Sequence, residues 1–331
     1  RYMSKRIVIV GLLTGLLVFV FRALVYEESA QTSWFTQRTA TEGTNGHVAS
    51  GGTSDAAAVE RILVLYAYFE SPERKANLQF FLDFAIKDTK NIDYVIIANG
   101  FTCTADIPTQ DNVHVIKREN NGFDACAWKQ GLEKMKREKG ENWYKYVFFM
   151  NASVRGPFLP TYLADQDWTS LFTKHLSEDI KLVGTSICCP HPRYPKNKLH
   201  LQSMFLLTDL AGLRIVEPML QCGYTDKQSV IDNVEVKLSQ AFIEAGYNIA
   251  SMLKRWEGHD FRDEETTRKM CKHDIKGKRY GDPYFQNLYF SNINISPFEV
   301  IFFKTNRRVN NDLVNAYTQM MYEQIKNKLE N

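Results

Sequence analysis

Four short stretches hold side chains able to bind or transform a polar ligand. They are Tyr68-Phe69-Glu70-Ser71, Asn99-Gly100, Asn121-Gly122-Phe123-Asp124 and Asn151-Ala152-Ser153-Val154-Arg155-Gly156. Together they offer acids, amides, a hydroxyl and one arginine, set around glycines that let backbone N–H groups approach a ligand. That combination suits a nucleotide carrying a sugar and a diphosphate. No single stretch is diagnostic, and an ordinary strand-to-loop transition explains each alone. Their value lies in whether they meet.

The elements around them give the reason to expect that they do. Tyr146-Val147-Phe148-Phe149-Met150 is a short apolar run, rich in aromatic and β-branched residues, that stops abruptly at Asn151. It reads as a strand buried on both faces. Ile62 to Phe69, Ile92 to Ala98 and Val113 to Ile116 read the same way. Between them, Leu78, Phe81, Leu82 and Ala85 recur at helical spacing, as do Trp128, Leu132 and Met135 after Asp124, which reads as an N-cap. Strands alternating with amphipathic helices predict an α/β fold with a mostly parallel sheet flanked by helices. In such a sheet all four polar stretches lie beyond the carboxyl ends of strands, on one edge, where open α/β sheets place ligands.

The second half is less regular. Helices are expected over Trp168 to His175, after an Asn233 cap, and over Asp312 to Leu329 with Leu313, Tyr317, Met320 and Ile325 facing inward. Strands are expected at Leu182 to Thr185, Met204 to Leu207 and Phe298 to Phe303. Pro190 to Pro195 reads as a rigid loop, and His259 to Tyr284 as a polar, aromatic excursion. No internal repeat is present.

Composition is that of a globular protein, with 44% apolar and 24% charged residues, and the net charge of +3 argues against a dedicated nucleic-acid binder. The six cysteines form no CxxC-type zinc pattern. They fit buried thiols, or one or two disulfides in a lumenal domain.

The first 59 residues differ from the rest. Ile7 to Phe21 is almost wholly apolar and continues through Ala23 to Tyr26, about the length that crosses a bilayer. Arg1, Lys5 and Arg6 precede it and Glu27 and Glu28 follow, so the positive-inside rule places the N-terminus in the cytoplasm. Without a small-x-small cleavage site, an uncleaved anchor is expected rather than a signal peptide. Residues 29–59 are rich in Ser, Thr, Gly and Ala and read as a flexible stem. The expected layout is a cytoplasmic tip and anchor (1–28), a stem (29–59) and a lumenal domain (60–331). That is a single-pass type II membrane protein of the Golgi or ER.

The order of motifs resembles glycosyltransferases of the nucleotide-diphospho-sugar type, with the GT-A fold, and more narrowly the rhamnan-synthesis-F-like group. The resemblance rests on Leu65 to Glu70, Asn121 to Asp124 and Phe149 to Pro157. It continues through His200 to Phe205, Val234 to Ser239 and Ser296 to Lys304, and so covers residues 60–308. It implies transfer of a sugar, rhamnose or another hexose, from a nucleotide-diphosphate sugar to a glycan or glycoconjugate. Tyr68, Glu70, Asn99, Asn121, Gly122, Asp124, Asn151, Ser153 and Arg155 are the implied donor contacts. Glu70 could equally end its strand, and Asp124 could only cap its helix.

In such folds a D-x-D pair after the fourth strand holds Mn or Mg against the diphosphate. Asn151-Ala152-Ser153 stands in that place, and neither Asn151 nor Ser153 is ionised, so both are poor ligands for a hard cation. Either metal binding is weak and completed elsewhere, or cations such as Arg155 neutralise the diphosphate; weak or absent metal binding is expected. An inverting transfer needs a base. Glu235 is the first candidate and Asp209 the second; a helix-dipole carboxylate and an N-cap are their respective structural alternatives. His200, Gln202 and Ser203 are candidates for the acceptor side, His200 being equally a surface histidine. Asn151-Ala152-Ser153 and Asn294-Ile295-Ser296 are glycosylation sequons; a cleft position for Asn151 implies that it stays unmodified. The competing reading is a catalytically silent, membrane-tethered glycan-binding or scaffolding module. A nucleotidyltransferase is disfavoured because no Gly-rich, lysine-bearing loop follows the first strand.

Overall fold

In the computed structural model the four apolar runs of the first half become four neighbouring strands. The residues described are 60–190, 198–273, 281–285, 289–307 and 309–330. The expected anchor and stem, residues 191–195 of the proline loop and residues 274–280 of the polar excursion lie outside them. Strand β1 is Ile62–Phe69, followed by helix α1 (Pro72–Phe84), β2 (Ile92–Asn99), β3 (Val113–Arg118), α2 (Phe123–Lys139) and β4 (Tyr146–Asn151). β1 pairs in parallel with both β2 and β4, with Leu65 opposite Val95 and Phe149, and β2 pairs in parallel with β3. The carboxyl ends of β1 to β4 therefore share one edge.

The chain then adds β5 (Val154–Arg155), α3 (Trp168–Thr173), β6 (Ile180–Gly184), β7 (Ile187–Cys188), β8 (His200–Leu201), β9 (Phe205–Asp209) and α4 (Leu210–Val216). After these come α5 (Lys227–Val230), a π-helical turn (Ile231–Glu235), α6 (Val236–Glu244), β10 (Asn248–Ser251), α7 (Glu264–His273), α8 (Pro297–Val300), β11 (Phe303–Lys304) and α9 (Asn311–Glu330). The main sheet has seven strands in the order β10-β6-β9-β4-β1-β2-β3. β9 runs antiparallel to both β4 and β6, and the other pairs are parallel. The fold is thus α/β with a mixed, mostly parallel sheet.

Helices cover both faces, which is why the strands read as continuous apolar runs. On one face Tyr66 meets Phe81 of α1 at 4.9 Å between ring centroids, Phe148 meets Trp168 at 5.1 Å and Phe172 meets Phe205 at 4.4 Å. On the other, Trp128 of α2 packs on Phe149 at 5.7 Å. Gly131 brings α2 so close that a Cβ there would stand 2.8 Å from Leu65. Each fully buried Leu, Ile or Phe contributes about 1.5–3 kcal/mol.

Several expectations change. Asp124 is not an N-cap: Gly122 occupies that position, with φ of 66°, and makes no side-chain cap. Asn233 caps nothing, because Asp226 caps the helix five residues before the π turn begins; the Asn233 amide instead donates to Ser229 O. The late strand over 298–303 is mostly the short helix α8, started by the Ser296 cap and Pro297. In α9 the inward face is Val314, Tyr317 and Met321, while Leu313 and Met320 are exposed. Two disulfides, Cys126–Cys222 and Cys189–Cys271, close long loops. Among the described residues no helix is long and apolar enough to cross a membrane.

Candidate active site

Asn151, the last residue of β4, sits at the centre of a hydrogen-bonded chain on the carboxyl edge. Its amide nitrogen donates to Asp124 Oδ2 at 2.9 Å. Its amide oxygen accepts from Ser153 N at 3.1 Å and from Ser153 Oγ at 2.5 Å. Its backbone N–H donates to Met204 O at 3.1 Å, which brings the following β9 end alongside. Ser203 then donates to Glu235 Oε2 through its backbone N–H at 3.3 Å and through its hydroxyl. His200 completes the chain: its Nε2 lies 3.6 Å from Glu235 Oε1, while Nδ1 lies 2.7 Å from Lys198 O. A ring nitrogen facing a carbonyl must carry the proton, so this contact fixes the ring with Nε2 toward Glu235.

Local structure explains these positions. Asp124 lies in the first turn of α2, which starts where β3 hands over to the loop at Gly122. Glu235 ends the π turn inserted between α5 and α6. Such bulges shift the helical register and recur at functional sites. Ser153 is tied from outside: its carbonyl accepts from Thr305 N at 3.0 Å, next to Lys304. Asn77 of α1 is fully buried and braces the same turn, donating to Ala152 O at 3.0 Å and to Thr305 Oγ1 at 2.8 Å.

The two carboxylates are driven apart in acidity. Burial raises Asp124 from 3.8 to about 6, with Glu235 adding to the rise and the Asn151 amide, Lys227 and Arg74 opposing it. Burial also works against ionisation of Glu235, but His200, the Lys304 ammonium and the Ser203 hydroxyl outweigh it and hold the group at about 2. One carboxylate can therefore exchange a proton near neutral pH, while the other is a standing anion. Pairs of this kind are the signature of divided acid–base labour.

The structure brings together Asp124, Asn151, Ser153, His200, Ser203 and Glu235. His200 is buried, not a surface histidine. Glu235 stands at the junction of the π turn and α6 and makes no side-chain cap bond; its carboxylate turns instead to Ser203 and His200.

Other expected residues lie elsewhere. Asp209 pairs with Tyr146 at the start of β4, so it is on the opposite edge, about 16 Å away along the strand. There it caps α4 through Gly212 N at 2.9 Å and binds Lys181 at 2.8 Å; it is an N-cap, not a base. Arg155 turns to Asn77 at 2.9 Å and to Asn315 and Thr318 of α9, each at 3.2 Å, so its charge is spent inside the fold rather than offered to a diphosphate. Gln202 is buried between Ser186 and Asp282.

Asn99 and Asn121 both accept from the Arg118 guanidinium, which holds the β2 and β3 ends in register. Gly122 gives its N–H to Tyr224 O at 3.2 Å. A Cβ there would stand 2.7 Å from Cys126 Cβ, so the glycine serves the disulfide packing. Both oxygens of Glu70 accept from Thr104, at 2.9 and 3.0 Å. Tyr68 is buried with its hydroxyl against Glu70, and Phe69 beside it is 41% exposed.

Asn77, Arg74, Arg118 and Lys227 escape a sequence reading, and Lys304 enters it only as the end of a matching stretch. A lone polar residue in a helix, or a lysine at a helix start, carries no local mark of what it meets across the fold.

The Asn151 and Ser153 pair does not suit a divalent metal. Both are neutral, and the Asn151 oxygen already accepts two hydrogen bonds. Among the described residues no three His, Cys, Asp or Glu are grouped so as to hold a metal ion.

A family model described as rhamnan synthesis protein F matches residues 95–272, more than half of the chain. No curated protein matches. Among solved structures, the chain is similar to a mannosyltransferase, PcManGT, from Pyrobaculum calidifontis in complex with GDP-Man and Mn2+. The identity is 12% and the TM-score 0.33, over 58% of this chain and 54% of that one. The match thus spans about half of the mannosyltransferase's length.

Proposed function

Because the chain belongs to the rhamnan synthesis protein F family, we propose that it is a glycosyltransferase with a GT-A-like domain, moving a hexose such as rhamnose from a nucleotide-diphosphate sugar to a glycan acceptor. The observation that carries this reading is the pair of carboxylates, Asp124 and Glu235, joined through Asn151 and Ser203 at one sheet edge with their acidities pushed in opposite directions. In an inverting transfer, the acceptor hydroxyl gives its proton to Asp124 as its oxygen bonds to the anomeric carbon. The bond from that carbon to the diphosphate breaks, and the nucleoside diphosphate leaves. Asp124 suits the base role better than Glu235, because a base works best with its pKa near the operating pH. Glu235 instead fixes Ser203 and His200 on the acceptor side.

The two disulfides support placing this domain in an oxidising lumen. The apolar segment within residues 1–28 is the proposed anchor and residues 29–59 the stem, giving the type II layout.

A direct test is nucleoside diphosphate release from a panel of nucleotide sugars, with and without glycan acceptors. The expected result is acceptor-dependent release with at least one donor, reduced about 10²–10⁴-fold by Asp124→Asn. The neutral Asn151-Ala152-Ser153 turn keeps a second reading in view, a glycan-binding module without turnover. Glycan binding with no release from any donor would select it.

A further inference from the structure

We propose that Arg74, Lys227 and Lys304 form a metal-independent clamp for the diphosphate of the donor. This rests on the glycosyl-transfer reading and names the part of the site that recognises the donor's charge. A nucleotide-diphosphate sugar arrives with negative charge on both phosphates, and the departing diphosphate gains more. Something must neutralise it. The turn where a metal-binding acidic pair would stand is the neutral, self-bonded Asn151 and Ser153, and Arg155 is consumed by Asn77 and α9.

The three cations come from three separate elements that meet at this edge: the α1 start beyond β1, the α5 start that Cys222 and Tyr224 tie to the start of α2, and β11 beside the turn after β4. Arg74 lies in the first turn of α1, beyond the end of β1, where Ser71 caps its backbone N–H. Lys227 is the first residue of α5. Lys304 lies in β11, opposite Val154 of the turn that follows β4. Arg74 and Lys227 both act electrostatically on Asp124, and Lys304 acts on Glu235. Among the described residues none of the three belongs to an ion pair, in contrast to Lys136, Lys181 and Arg262, which do. Arg74 does rest near the Phe69 ring, 5.5 Å from its centroid.

Cations with no ion-pair partner among the described residues are complemented by a dianion.

Calorimetric titration of the whole protein with UDP, GDP, dTDP, CDP and ADP, once in EDTA and once in Mn2+, tests this. The clamp predicts that at least one diphosphate binds in EDTA, with an affinity that Mn2+ leaves within about threefold. Arg74→Ala, Lys227→Ala and Lys304→Ala should each weaken it about tenfold, the worth of one charge-assisted contact to phosphate. Added salt should weaken the wild type more than the variants. Lys227 is exposed, so its variant remains informative even if Arg74→Ala or Lys304→Ala folds poorly. Binding only in Mn2+, or binding in EDTA that ignores all three substitutions, would overturn the clamp and leave the enzyme reading standing. Binding of no diphosphate under either condition would overturn both.

Discussion

At the scale of single residues, Asp124 and Glu235 are the same functional group in two environments. Asp124 is buried deeply enough that desolvation outweighs the Asn151 amide, Lys227 and Arg74, and it reaches about 6. Glu235 is matched by His200, Lys304 and Ser203 and falls to about 2. The stability consequences have opposite signs. Asp124 has a folded-state pKa above its ordinary 3.8, so its contribution to stability is full below that pH and is lost as pH rises through about 6. Glu235 has one below its ordinary 4.5, so its contribution is full above that pH and is lost as pH falls through about 2. Asp124→Asn should therefore flatten the loss of stability between pH 4 and 7 in denaturant titrations. Glu235→Gln should cost about 1–3 kcal/mol at pH 7, because it leaves His200 and Lys304 without their anion. An unchanged pH dependence in Asp124→Asn would contradict the raised acidity assigned to it.

At the scale of elements, the first half was legible because its strands are buried on both faces and end in polar turns. Each apolar run from Ile62, Ile92, Val113 and Tyr146 became a strand at nearly the expected bounds. The second half was less so, for identifiable reasons. The π turn before Glu235 changes register without any change in composition, so the helix start looked like Asn233 when the cap is Asp226. In α9 two adjacent apolar stripes compete. Asn315 and Thr318 bond Arg155, which fits the turn of the helix that puts Val314, Tyr317 and Met321 inward.

The Cys126–Cys222 disulfide belongs to this scale as well. It ties the start of α2 to the segment leading into α5, and so sets Asp124 against Lys227. Cys222→Ser should lower stability by about 2–5 kcal/mol and also weaken diphosphate binding. Cys271→Ser, which opens the other bridge, should lower stability alone. Gly122→Ala should cost about 1–3 kcal/mol, from its positive φ and from the disulfide a methyl would strike. Thermal melts with parallel titrations read all three.

At the scale of the whole molecule, the site draws on residues from Arg74 to Lys304. The sheet-edge rule gathered the ends of β1 to β4 correctly, which is why Asp124, Asn151 and Ser153 could be anticipated. That rule says nothing about β9, which runs antiparallel; it brings Ser203 to the site and carries Asp209 to the far edge. Nor does it distinguish a polar group offered to a ligand from one that holds the frame. Asn99, Asn121, Gly122 and Arg155 all stand near strand ends, and all proved to serve packing or internal hydrogen bonds. The cations that remain come from loops and helix starts remote in sequence, joined only by the folded chain.

In the proposed transfer one carboxylate poised near neutrality carries the proton while its partner stays ionised. The pH dependence of kcat/KM tests it most directly, since that quantity reports the free enzyme's essential base. With Asp124 as the base, kcat/KM with the best donor and acceptor falls with unit slope as pH drops through about 6, and Asp124→Asn abolishes this limb. A profile that stays level through that range and falls only toward pH 2 would assign the base to Glu235 and remove Asp124 from that role.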